Sequence, residues 1–142
     1  MKVLISAGPT REKIDAVRFL SNRSTGKMGY ALAEAARRLG HRVVLVAGPV
    51  NLPDPAGISV IHVESAAEMA DAIHAEAADS YLIVMAAAVA DYRPKRVIDG
   101  KMKKSDGSLL SNLNGPRTFW RHSENGNGRD SSWSVSPPKP PA

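Results

Sequence analysis

Four apolar runs, Lys2–Ala7, Arg42–Ala47, Ile58–Val63 and Tyr81–Ala88, alternate with segments of helical character. That alternation constrains the fold more than any other feature of the chain. A short apolar run closed by a breaker reads as a buried strand, and Gly8-Pro9 and Gly48-Pro49 close the first two. Strands separated by helices need crossover connections, which give a mostly parallel sheet with helices on both faces. Ligands of such sheets sit beyond the carboxyl ends of the strands. The loops after Ala7, Ala47 and Ala88 therefore form the expected functional edge.

Between the strands, Lys27–Leu39 places Met28, Leu32, Ala35 and Leu39 on one helical face, with Gly40 as its stop. A second helix opens at Ser65-Ala66-Ala67-Glu68, a capping box, and its apolar face is Met69, Ile73 and Ala77. Residues 8–25 read as a long polar loop, in which Glu12 and Asp15 suit turn or capping roles. The run Tyr81–Ala88 is apolar throughout, as expected of a strand covered on both faces.

Composition excludes several functions. None of the 142 residues is cysteine, which removes disulfide scaffolds, thiolate zinc sites and cysteine nucleophiles. No apolar run approaches the ~20 residues that span a bilayer. Met1-Lys2 leads into a strand without a signal-peptide core, so no membrane partner and a cytoplasmic location are expected. The four histidines lack metal-ligand spacing, and the ligands of any metal stay unassigned. The net charge of +5 points to anionic partners without choosing among them.

Two segments carry candidate chemistry. Ser21-Asn22-Arg23-Ser24-Thr25-Gly26-Lys27-Met28-Gly29 runs into a helix N-terminus. There the glycines expose backbone amides and the helix dipole favours an anion. Ordinary N-capping by Ser24 or Thr25 explains these residues equally well on their own. The second segment, Ala86-Ala87-Ala88-Val89-Ala90-Asp91, follows the fourth strand. Its small residues let a flat ligand lie on the backbone, and Asp91 can accept hydrogen bonds from a ribose or a base edge. From Arg93 to Lys104 there are six cations against the single anion Asp99. Such a run is either a solvated loop or a lid over a polyphosphate, with Lys101 as an electrostatic catalyst. It has no interleaved aromatics beyond Tyr92 and no reading helix, so no nucleic-acid partner is expected.

The stretches S-A-G-P-T-R-E-K-I-D, V-R-F-L-S-N-R-S-T-G-K-M-G, V-A-G-P-V-N-L-P, M-A-A-A-V-A-D-Y-R-P and K-M-K-K-S-D-G together resemble phosphopantothenate–cysteine ligase over residues 2–108. That domain is often the C-terminal half of a bifunctional coenzyme A biosynthesis protein. One departure is Ala16, where the family usually has proline. The resemblance implies a Rossmann-like, doubly wound, mostly parallel α/β sheet. It also implies a reaction in which CTP and Mg²⁺ convert the carboxylate of 4'-phosphopantothenate to an acyl-cytidylate, whose cytidylate L-cysteine then displaces. By the same resemblance Gly8, Ser24, Gly26 and Gly29 would hold the triphosphate, and Met85, Ala86, Ala87 and Asp91 the cytidine. Lys101 would stabilise developing charge, Asn22 would hold the acyl carbonyl, and Arg18 would face the substrate. A homodimer is implied, and FMN only where a decarboxylase half is present elsewhere.

Composition breaks after Ser108. Residues 1–108 hold nineteen of the twenty alanines, whereas 109–142 hold both tryptophans and four prolines within the last six positions. Residues 109–142 carry too few aliphatic side chains to offset chain entropy and are expected to be disordered. Read one frame over, codons for Gly115–Ser123 permit T-P-D-I-L-A-T-L, and those for Ser131–Pro140 permit F-L-V-G-F-A-A-E-T. Both are motifs of the resembled family, so 109–142 reads as an out-of-frame stretch, which the coding DNA around codon 108 decides. On this reading residues 1–108 form a nucleotide-binding ligase domain that is incomplete at its C-terminus. Ligase activity would then be impaired, and the competing function is that of a non-catalytic nucleotide-binding remnant.

Overall fold

The computed structural model describes residues 1–101 and the backbone of residues 113–114. Its centre is a four-stranded parallel sheet of β1 (Lys2–Ala7), β4 (Arg42–Ala47), β5 (Ser59–His62) and β6 (Leu82–Met85), in the order β5-β4-β1-β6. The connection from β1 to β4 runs through α1 (Lys27–Arg38), and that from β5 to β6 through α2 (Ala66–Ala77). Strands are added outward on one side of β1 and then, after α2, on the other side. The fold is thus the expected doubly wound, Rossmann-like α/β sheet, and its topological switch lies between β1 and β6, where such sheets bind ligands.

The two faces of the sheet carry separate cores. Val3, Ile5 and Ala7 of β1 and Val43, Leu45 and Ala47 of β4 face α1, where they meet Tyr30 and Ala33. Leu4, Val44 and Val46 face the other way and pack on Met69 and Ile73 of α2. Strand alternation therefore supplies both cores from the same two central strands. The α2 face is the one the periodicity predicts. Its cap is also as expected at one end, since Ser65 Oγ accepts from the Glu68 amide at 3.1 Å. The reciprocal bond falls one residue earlier than in a capping box, with Glu68 Oε2 accepting from the Glu64 amide at 2.8 Å.

The predicted face of α1 is incorrect. Met28 and Leu39 are 72% and 77% exposed, and Leu32 is exposed as well, whereas Gly29, Tyr30 and Ala33 are buried. The reason is distance. A Cβ added at Gly29 would lie 2.4 Å from the Ala7 methyl and 3.1 Å from the Ser6 carbonyl oxygen, so the helix rides directly on β1 through its smallest residues. Tyr30 packs beside them with its hydroxyl unpartnered among the described residues. Burial, and then the charge of Asp54, push that phenol above its usual pKa.

Two further expectations are corrected. Residues 8–25 are not a plain loop, because β2 (Arg11–Lys13) and β3 (Phe19–Ser21) form an antiparallel hairpin with the Arg11 guanidinium 4.5 Å over the Phe19 ring. The fourth strand spans only Leu82–Met85, and Leu82 and Ile83 are partly exposed rather than covered on both faces. A short strand β7 (Arg93–Pro94) pairs antiparallel with β8 (Leu113–Asn114). The disorder and out-of-frame readings of 109–142 otherwise concern residues outside those described.

At the amino ends of the strands, opposite the functional edge, Lys2 is almost buried. Its Nζ donates to the Glu76 carboxylate at 2.7 Å, to the Glu76 carbonyl at 2.8 Å and to Asp79. Asp79 also meets Arg42 at 3.1 Å. These bonds tie the last turn of α2 to β1 and β4. The Lys2 ammonium holds the Asp79 carboxyl below its ordinary pKa, and the two carboxylates raise that of Lys2.

Candidate functional site

The carboxyl ends of β1 and β4 turn away at Gly8 and Gly48, and α1 begins beside them at Gly26. Gly8 and Gly26 have φ of 78° and 73°, in the left-handed region that favours glycine. A Cβ on Gly26 would lie 3.4 Å from the Gly8 Cα and 2.7 Å from Val50 Cγ1. Three loops thus touch through backbone, and the start of α1 is drawn into the sheet edge.

That close approach leaves the helix N-terminus open. Gly26 is the N-cap and supplies no side-chain cap. Ser24 Oγ accepts from the Gly26 amide at 3.3 Å and Thr25 Oγ1, at 3.5 Å, from that of Lys27. Both hydroxyls therefore cap only the entry to the helix. The amides of Met28 and Gly29 precede the first intrahelical bond, Tyr30 N to Gly26 O, and have no acceptor among the described residues. A groove of about 580 Å³ adjoins the start of α1, lined by Ser24, Thr25 and Lys27, by Pro49, Val50, Asn51 and Leu52, and by Arg11. Two cations and two hydroxyls line one concavity at the N-terminus of α1, which is the chemistry of an anion site.

A second arrangement sits in the β1–β6 crevice. The chain after β6 continues alongside the β1 loop, with Ala86 N bonded to Ser6 O at 3.1 Å and Ala88 N to Gly8 O at 2.8 Å. Ser6 and Thr10 are fully buried. The Ser6 hydroxyl accepts from Ala87 N at 3.3 Å and lies 3.7 Å from Met85 Sδ. The Thr10 hydroxyl accepts from Ala90 N at 2.8 Å, and its carbonyl accepts from Ser21 Oγ at 2.7 Å. Asn22 Nδ2 donates to the Val89 carbonyl at 2.8 Å, which leaves its second N–H and its amide oxygen available. Met85, Ala86 and Ala87 are therefore held on Ser6, and Asn22 is tied to Val89 two residues further along the same segment.

The third arrangement is the tip of the hairpin. Asp15 Oδ1 accepts from the amides of Val17 and Arg18 at 2.9 and 2.8 Å, and Arg18 Nε stands 3.7 Å from Asp15 Oδ2. Arg18 is thus engaged with a buried carboxylate. The basic strap returns to this tip, with Ile98 N bonded to Ile14 O and Ala16 N to Gly100 O. Lys101, next to Gly100, is exposed beside the turn, and Asp91 is exposed at the start of the strap. Glu12 serves as a cap, accepting from the Ala66 amide of α2 at 2.8 Å.

Of the sequence-predicted residues, Ser24 lines the α1 groove, while Gly8, Gly26 and Gly29 make the close contacts that draw the start of α1 to the sheet edge. Asn22 bonds to Val89, in the segment that follows Met85, Ala86 and Ala87, and Asp91 is exposed beyond it. Arg18 and Lys101 border the hairpin tip. Sequence reading missed Arg11 and Asn51 in the groove wall and Ser6 and Thr10 beneath the crevice. The loops that carry them were identifiable from the Gly-Pro breaks, but which side chains turn inward was not. Among the described residues no three His, Asp or Glu side chains gather as a metal site, and no helix is long and apolar enough to cross a membrane.

Comparison with known proteins places these features in context. The family described as the DNA/pantothenate metabolism flavoprotein C-terminal domain matches residues 1–117. The coenzyme A biosynthesis bifunctional protein CoaBC of Vibrio vulnificus is 56% identical over 106 residues, covering 75% of this chain and 26% of that protein. The chain thus spans about a quarter of that relative's length. The crystal structure of the C-terminal domain of a CoaBC superposes with a TM-score of 0.65 at 52% identity, over 68% of this chain and 49% of that one. A Cab2 mutant in complex with phosphopantothenate-cysteine shares the fold, with a TM-score of 0.68 at 19% identity over 83% of this chain and 57% of that one.

Proposed function

The chain belongs to the family of DNA/pantothenate metabolism flavoprotein C-terminal domains, and from that premise we propose that it is the nucleotide-binding part of a phosphopantothenate–cysteine ligase of coenzyme A biosynthesis, with CTP as its nucleotide. The observation that supports this most is the α1 groove, where Ser24, Thr25, Lys27 and Arg11 line one concavity at the start of a helix whose first amides have no acceptor among the described residues. The coenzyme A biosynthesis protein of Vibrio vulnificus, at 56% identity, supports the pathway.

In this reading the triphosphate lies on the N-terminus of α1. Its charge is met by the helix dipole and by Lys27 and Arg11. The cytidine occupies the crevice between β1 and β6, where Ala86 and Ala87 let its ring approach the backbone and Asp91 accepts from it. The carboxylate oxygen of 4'-phosphopantothenate attacks the α-phosphorus, the bond to the β-phosphate oxygen breaks, and pyrophosphate leaves. The amine of L-cysteine then attacks the acyl carbon, the bond to the cytidylate oxygen breaks, and CMP leaves with the amide formed. The second N–H of Asn22 Nδ2 donates to the acyl oxygen as charge builds on it. Lys101, carried by the strap, moves in from beside the Asp15 turn to balance charge in the first step. Mg²⁺ would enter as the complex with the triphosphate, as nucleotide substrates commonly carry it, and would neutralise charge on the phosphates. The family pattern of a homodimer with a shared site belongs to the same proposal.

Calorimetry with Mg²⁺–CTP, followed by an assay of pyrophosphate release that needs CTP, 4'-phosphopantothenate and L-cysteine together, tests the reading. Binding that Ser24→Ala weakens, with release that is slow and dependent on all three substrates, supports it, and turnover as fast as that of a full-length relative refutes the expected impairment. Binding without release assigns nucleotide recognition without catalysis, and absence of CTP binding overturns both.

A further inference from the structure

We infer that Thr10 is the positioning residue that sets the crevice segment 88–90 against Asn22, and so holds the acyl-group donor and the nucleotide in one register. Thr10 is fully buried, and its three polar groups are shared between two segments, 88–90 and the end of β3. Its amide donates to Ala88 O at 3.3 Å and its hydroxyl accepts from Ala90 N at 2.8 Å. Its carbonyl accepts from Ser21 Oγ at 2.7 Å, one residue before Asn22. Asn22 closes the circuit by donating to Val89 O, the residue between the two that Thr10 holds.

The geometry explains why a hydroxyl is needed. The segment after β6 leaves the ladder with β1 at Ala88, so the Ala90 amide has no strand partner, and at this half-buried position an amide without an acceptor is costly. Valine would fill the same volume and leave that amide unpaired, whereas serine would retain the bond. Segment 88–90 would then relax, and the Val89 carbonyl would move away from the Asn22 amide. The Asn22 N–H aimed at the acyl oxygen and the wall of the nucleotide crevice would lose register together.

The functional half of this inference rests on the ligase reading above, and the positioning half does not. The test therefore has two arms, both on the full chain, comparing the native protein with Thr10→Val, Thr10→Ser and Ser21→Ala. In the first, NMR follows hydrogen exchange of the Ala90 amide and the side-chain NH2 resonances of Asn22. Thr10→Val is expected to speed Ala90 exchange by about tenfold or more and to shift the Asn22 resonances, with Thr10→Ser restoring both. In the second, calorimetry reads Mg²⁺–CTP affinity, expected to fall by about tenfold in Thr10→Val and to recover in Thr10→Ser. Unchanged Ala90 exchange and Asn22 resonances in Thr10→Val overturn the inference. Native protein that binds no CTP overturns the ligase reading instead, while the first arm still decides the role of Thr10. Should Thr10→Val fail to fold, Ser21→Ala serves in its place: it removes the link from Thr10 to Asn22, and unaltered Asn22 resonances then overturn the inference.

Discussion

Gly29 of α1 sits so close to Ala7 of β1 that a Cβ at position 29 would be 2.4 Å from the Ala7 methyl. This contact sets the distance between helix and sheet, and with it the height of the helix N-terminus above the strand end. Stability and the anion groove therefore depend on the same pair.

Gly29→Ala is expected to destabilise the fold by about 1–3 kcal/mol, the usual result of overpacking a close contact. The gain in helix propensity, about 1 kcal/mol, offsets part of this. Urea unfolding measures the loss. Because α1 must move outward, nucleotide affinity should fall as well. A variant more stable than the native chain would show that the contact is not tight.

Removing either groove cation should weaken binding of the triphosphate. Lys27→Ala and Arg11→Ala are each expected to cost roughly tenfold in affinity for Mg²⁺–CTP. Their side chains meet an anion in an open groove, so the loss should shrink as salt is raised. Calorimetry at two ionic strengths checks both statements, and Arg11 has the additional role of covering Phe19.

Asp15 holds the hairpin tip through two backbone amides and is buried. Asp15→Ala should remove the charged acceptor that the amides of Val17 and Arg18 share and lower stability by about 1–3 kcal/mol. The strap, which bonds to Ile14 and Ala16 at the same tip, should become more open to protease. Limited proteolysis between Arg93 and Lys101 reads this directly.

The cluster at the opposite end of the sheet sets a pH dependence. Lys2 lowers the pKa of Asp79, so the Asp79 contribution is present above the carboxyl's unfolded value and is lost as pH falls through the lowered folded value. Lys2 is raised, so its contribution is present below the unfolded lysine value and is lost as pH rises through the raised one. The difference in melting temperature between native protein and Asp79→Asn should therefore be widest near neutral pH and close in acid. Glu76 remains bonded to Lys2 in the variant, so the protein should still fold.

Much of the architecture was legible locally. The bounds of β1 and β4 match their apolar runs, and the loops at the sheet's carboxyl edge do carry the groove and the crevice. The face of α1 was not legible, because periodicity ranks residues by hydrophobicity, and this helix packs through its smallest ones. Met28, Leu32 and Leu39 are the more apolar set, but against β1 they would hold the helix too far out for Gly26 to reach Gly8. The hairpin of β2 and β3 was equally hidden, since three-residue strands carry no period to read.

The sequence by itself determined the order of the four strands of the central sheet and the two helices, and the parallel pairing of that sheet. These follow from apolar patterning, Gly-Pro breaks and the handedness of crossovers, all of which act over short stretches of chain. Only the tertiary structure decided which face of α1 is buried, which amides at its start lack acceptors, and that Thr10 joins Asn22 to the segment after β6. Those outcomes depend on distances between residues far apart in the chain, where the absence of a side chain matters as much as its chemistry.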